Sequence, residues 1–234
     1  MCLITRLIRL LCNVWRKDDK SDNLTGGIGS GKSAVCRILA GMGYTSQYDA
    51  DSRVKKLYME SGSLVQELET VLRTSLRDSS GDFCPSLMAA RIFSDRSALE
   101  SVESIVFPAL AEDFRRFVSN TTSEYVIFES ATVLEKEYFS GFGDAVLFVT
   151  APYQVRLQRA VARDNAAPDS VRARMDNQKM MNILSEKNSG NARDMFASAV
   201  RRISAVVDTD CTMEDMYERV AEAMKIIKTK LLSE

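Results

Sequence analysis

The chain has 234 residues, enough for one α/β domain with a subsidiary helical region, and its 45% hydrophobic and 27% charged residues are those of a globular protein. Its 31 Lys and Arg nearly balance 32 Asp and Glu, so no overall basic field exists to hold nucleic acid, and an anionic ligand must be gripped by a local site. It contains no histidine, which excludes histidine bases, Ser-His-Asp triads and histidine-ligated zinc. The five cysteines lack CxxC spacing and argue for a reducing cytoplasm rather than a disulfide framework.

Met1 to Trp15 is apolar but interrupted by Arg6 and Arg9, and falls short of the ~20 residues that span a bilayer. It reads as a packing segment or an atypical start, with an interfacial helix as the alternative, and no membrane association is expected. Arg16 to Asn23 (RKDDKSDN) reads as a polar loop. The first strand is then either very short, near Leu24-Thr25, or supplied by Leu3 to Val14.

Gly26-Gly27-Ile28-Gly29-Ser30-Gly31-Lys32-Ser33 satisfies G-x-x-x-x-G-K-[ST] at every position, a phosphate-binding P-loop. Glycines let successive backbone N–H groups converge on phosphate oxygens without obstruction. The helix predicted over Ser33 to Met42 adds the positive end of its dipole. Lys32 is suited to the β- and γ-phosphates and the Ser33 hydroxyl to Mg²⁺.

Tyr44 to Tyr48 reads as a second strand, and Asp49-Ala50-Asp51 follows it. An acid at the carboxyl edge of such a strand can accept the proton of an attacking hydroxyl, or it can cap the next helix. Val54 to Leu76 has helical periodicity broken at Gly62, Ser79 to Asp82 is turn-like, and Ser86 to Phe117 reads as helices interrupted at Pro108. Strands follow at Tyr125 to Phe128 and Ala145 to Thr150, then helices at Tyr153 to Ala162 and Ala166 to Gln178. Arg156, Arg159, Arg163, Arg172 and Arg174 crowd these two helices, either as a solvated face or as guanidinium groups for a triphosphate. A short strand at Ala205 to Val207 and an amphipathic helix from Met213 to Leu232 close the pattern, and the alternation predicts a parallel sheet covered on both faces.

These motifs together resemble the dephospho-coenzyme A kinase family over roughly Leu24 to Gln178. LTGGIGSGKS is similar to the family's opening signature, followed by its D-A-D at Asp49 to Asp51. CPSLMAARIF places Arg91 at a family arginine, YVIFESATVLE ends in Glu135 where the family has P-L-L-F-E, and RLQRAVARD with Gln178 resembles the lid. The resemblance implies a P-loop NTPase fold with a parallel five-stranded sheet flanked by helices, a helical substrate-binding region over about 54–118 and a lid over about 153–180, with 1–23 as an atypical N-terminal segment ahead of the kinase domain 24–234. It implies transfer of the γ-phosphate of ATP to the ribose 3′-hydroxyl of dephospho-coenzyme A, in a cytoplasmic monomer or weak homo-oligomer. The alternative is a related kinase with a nucleoside, nucleotide or sugar acceptor, or an impaired nucleotide-binding variant.

By the same resemblance Asp51 is the base, Thr25 to Ser33 holds ATP, and Arg159 or Arg163 closes over its phosphates. Asp51, Arg91 and Glu135 face the acceptor, and Ser33 faces Mg²⁺. Departures from the family pattern are Ala34 for the usual threonine, Phe107 for the histidine of His-Pro, Ala131 for the proline of P-L-L-F-E, and a divergent stretch from Lys179 to Arg202.

Overall fold

A computed structural model describes residues 20–93, 95–123, 125–186 and 194–233. The segment Met1 to Trp15 lies outside these. The chain divides into two compact units, one made of the residues up to Gln47 and from Thr122 onward, the other of Tyr48–Thr121.

The first unit is built on a sheet of order β2-β3-β1-β4-β5, formed by β1 (Lys20–Thr25), β2 (Ser46–Asp49), β3 (Tyr125–Glu129), β4 (Ala145–Thr150) and β5 (Ala205–Asp208). β1 runs parallel to both β3 and β4, and β4 runs parallel to β5. Helices α1 (Lys32–Gly41) and α10 (Met213–Ser233) pack on the sheet through Val35, Leu39, Val220, Met224 and Ile227 against Leu24, Leu147 and Val207. Each such side chain removed from water contributes roughly 1.5–3 kcal/mol. An aromatic group of Phe128, Phe139 and Phe142 packs edge-to-face or tilted within the same unit.

β1 corrects the polar-loop reading of Arg16 to Asn23. Lys20–Thr25 is the middle strand of the sheet, and Ser21, Asp22, Asn23 and Thr25 are all buried. The backbone decides here: β1 pairs along both edges with apolar neighbours, and that ladder overrides side-chain preference. Local polar contacts assist, since Asn23 Nδ2 donates to the Phe142 carbonyl and Ser21 N to Asp144 Oδ2 at 3.2 Å.

The second unit is helical: α2 (Ala50–Glu60), α3 (Gly62–Leu72), α4 (Pro85–Phe93) and α5 (Arg96–Asn120). The predicted break at Gly62 falls at Ser61, which ends α2 and caps α3 by accepting from Leu64 N at 3.3 Å. The predicted interruption at Pro108 does not occur. Pro108 lies inside the continuous α5, which the buried Val102, Val106, Leu110 and Phe114 hold across the lost hydrogen bond.

Further α-helices among the described residues of the first unit are α6 (Tyr153–Asp164), α7 (Pro168–Asp176), α8 (Lys179–Ser185) and α9 (Ala197–Arg202). The divergent stretch from Lys179 therefore carries two short helices among its described residues.

Candidate active site

The phosphate loop leaves β1 at Thr25 and enters α1 at Lys32. Gly29 (φ 74°) and Gly31 (φ 91°) occupy left-handed conformations that other residues adopt only under strain. Gly31 is the N-cap of α1, and a Cβ there would also press on the Thr209 side chain. The loop is tied internally by Ser30 N to the Gly27 carbonyl at 3.1 Å and by Lys32 Nζ to the Gly26 carbonyl at 2.9 Å. The start of α1 thus brings the positive end of its dipole beside an ammonium, a ready anion site.

Thr209, fully buried just past β5, was not legible as a site residue. Its hydroxyl lies 2.8 Å from the Ser30 carbonyl and 3.2 Å from that of Thr150. Arg159 donates to both Thr209 Oγ1 (2.8 Å) and Thr209 O (2.9 Å). One hydroxyl therefore joins the loop to a predicted lid arginine. Arg163 is not drawn in the same way: its guanidinium binds Asp164 at 2.7 Å, and Arg174 binds the same carboxylate at 2.6 Å. These two cations, Arg163 first, hold the Asp164 carboxyl far below the usual range.

Behind the loop stand α6 and α8. Ile28 N donates to Gln178 Oε1 at 2.8 Å, and Asn182 accepts from Arg156 Nη2 at 2.5 Å while donating to the Met175 carbonyl at 2.8 Å.

Glu129 is a second residue that sequence reasoning passed over. It ends β3, registers opposite Leu24 just before the loop, and accepts from the Cys36 thiol at 3.3 Å. An acid closing an apolar strand next to the P-loop strand was the available signal. Glu135 lies in the turn after β3, its N–H bonded to the Thr132 carbonyl at 2.9 Å, and burial pushes its carboxyl pKa upward.

In the helical unit the two acids of Asp49-Ala50-Asp51 divide their roles. Asp49 is the cap of α2, accepting from Ser52 N at 2.9 Å and Ser52 Oγ at 2.6 Å. Asp51 sits in the first turn with an exposed side chain, so the capping alternative belongs to its neighbour. Arg91, at the end of α4, binds Asp95 at 2.7 Å, and Asp95 in turn caps α5. Within this unit Tyr48 Oη donates to Asp113 Oδ2 at 2.6 Å, and Arg53 forks onto both Asp113 oxygens at 2.7 and 2.9 Å. The Arg53 guanidinium holds the Asp113 carboxyl below its ordinary range, whereas burial, followed by the Asp113 hydrogen bond, pushes the Tyr48 phenol far upward.

A family model described as dephospho-CoA kinase matches residues 23–191. A dephospho-CoA kinase of Porphyromonas gingivalis is 37% identical over 163 residues, 70% of this chain and 79% of its own length. One from Fusobacterium nucleatum is 28% identical over 197 residues, 84% and 93% respectively. Among solved structures, that of TT1252 from Thermus thermophilus aligns with a TM-score of 0.70 at 24% identity, over 89% of this chain and 97% of the other.

Proposed function

The chain belongs to the dephospho-CoA kinase family, and from that premise we propose how its own residues carry out the transfer of the ATP γ-phosphate to the ribose 3′-hydroxyl of dephospho-coenzyme A. The amides of Thr25 to Ser33 and the Lys32 ammonium hold the phosphate chain. Asp51 orients the acceptor hydroxyl and takes its proton as the oxygen bonds to the γ-phosphorus, while the bond to the β-phosphate oxygen breaks and ADP departs. With no histidine in the chain, a carboxylate is the natural base for this step. The observation that carries the assignment is the capping geometry: Asp49 serves α2, which leaves Asp51 exposed on its first turn.

Arg159, anchored on Thr209 beside the loop, and Arg163 supply charge to the phosphates, and Arg91 and Glu135 serve the acceptor. Ser33, exposed at the start of α1, and the half-buried Glu129, at the end of β3, each carry an oxygen donor of the kind Mg²⁺ takes. Among the described residues no group of three or more Cys, Asp or Glu is placed to hold a metal ion. Bound there, Mg²⁺ would neutralise charge on the β- and γ-oxygens. Among the described residues no helix is long and apolar enough to cross a membrane. A cytoplasmic setting and a monomeric or weakly associating state go with this reading.

Mass detection of coenzyme A formed from dephospho-coenzyme A and Mg-ATP tests it. Product is expected with the native chain and loss of at least roughly 100-fold in kcat/KM with Lys32→Ala, the scale of removing one phosphate-stabilising charge. Preference for a nucleoside or sugar in a panel of hydroxyl acceptors would refute the substrate assignment.

A further inference from the structure

Arg156, in the first turn of α6, is wholly buried. Guanidinium groups stay charged at working pH and are almost never fully buried without a counter-charge. Here the partner of Nη2 is the neutral amide of Asn182, and neither Nε nor Nη1 has a hydrogen-bond partner among the described residues. Tyr153 offers only its ring, 5.8 Å from Cζ. Burial lowers the pKa below that of an ordinary arginine, with weaker opposing attractions from Tyr153 and Glu186. The protein's own groups therefore leave this cation under-compensated, at a cost in stability.

The cation faces the phosphate loop. A Cβ at Gly27 would overlap Arg156 Nη1, and one at Gly29 would overlap the Arg156 carbonyl. Gly27 does not have a positive φ, so its lack of a side chain answers to the guanidinium rather than to backbone conformation. The same flank of the loop is held by Gln178 through Ile28 N.

We propose that Arg156 is a positioning residue for the polyphosphate chain, its buried charge aimed at Gly27 so that ligands are favoured in proportion to the phosphate charge they bring into the loop. The counter-charge that the protein's own side chains do not provide comes from the nucleotide, so that a buried cation costly to the fold favours binding of anions. This inference rests on the reading that Thr25 to Ser33 holds ATP. It is distinct from the roles given to Arg159 and Arg163, which are bonded elsewhere.

The test compares Arg156→Gln with the native chain by calorimetric titration of ATP, ADP and AMP and by the melting temperature without ligand. Glutamine removes the charge while keeping a polar N–H at about the depth of Nε. ATP affinity is expected to fall roughly tenfold, the weight of one charge-assisted contact, with a smaller loss for ADP and least for AMP. The ligand-free melting temperature is expected to hold or rise. An equal loss for all three nucleotides, no loss for any, or a lowered melting temperature with unchanged nucleotide ranking would overturn the proposal. Should Arg156→Gln fail to fold, Arg156→Lys decides: it keeps one charge without the fork, and a graded loss is again expected where a uniform one refutes. Failure of the native chain itself to bind ATP would instead remove the phosphate-loop reading beneath it.

Discussion

At the scale of single residues, the two aspartates of Asp49-Ala50-Asp51 show what a motif can and cannot say. Sequence placed both beside a helix start, where capping and catalysis call for the same side chain. The family resemblance singled out Asp51 as the base, and the hydrogen bonds of Asp49 to Ser52 show which of the two caps the helix. Thr209 stayed out of reach because its neighbour is remote in sequence: it meets the Ser30 carbonyl across 179 positions. Gln178 was named through the lid resemblance, but its bond to Ile28 N, across 150 positions, was not. The glycines of the loop were readable because their constraint is local. The Tyr48–Asp113–Arg53 network also emerged only with the fold. Asp113 is 9% exposed and Arg53 29%, so the pair is screened at one end. Asp113→Asn is expected to lower the unfolding free energy by about 2 kcal/mol at pH 7, toward the low side for a partly buried pair. The folded carboxyl has a depressed pKa, so its contribution is present above the unfolded value near 3.9 and is lost as pH falls through the lower folded value. Urea melts at neutral and acid pH check this: the difference between the two chains should shrink below about pH 4. A constant difference down to pH 2 would contradict it.

Among the elements, β4 and α10 were plain from an unbroken apolar run and a helical stripe, and the structure has both, over Ala145–Thr150 and Met213–Ser233. β1 was hidden because Lys-Ser-Asp-Asn carries turn-forming side chains into the centre of a sheet, where hydrogen bonding to β3 and β4 supplies what composition does not. Pro108 misled in the opposite sense. Its ring denies α5 one backbone hydrogen bond, yet the helix runs through it on buried contacts from either side. The Pro108 side chain is exposed, so Pro108→Ala restores a donor without opening a cavity. A gain of about 1–3 kcal/mol in unfolding free energy is expected. Thermal melting measures it, and a lower melting temperature would mean that the proline shapes the helix to advantage.

For the molecule as a whole, the alternation of strands and helices sufficed for the α/β class, and the order β2-β3-β1-β4-β5 is a topology that the alternation alone does not specify. The near-neutral net charge of −1 means that recognition of anionic substrates falls to a few placed groups rather than to a field. In the function we propose, a loop of amides with Lys32 holds the donor while Asp51 takes the proton of the acceptor. Single-turnover phosphate transfer to dephospho-coenzyme A by Asp51→Asn, with ATP affinity measured alongside, tests it most directly. Transfer is expected to slow by roughly 10²- to 10⁴-fold, the range of a lost general base, with ATP binding nearly unchanged; transfer at the native rate would exclude Asp51 as the base.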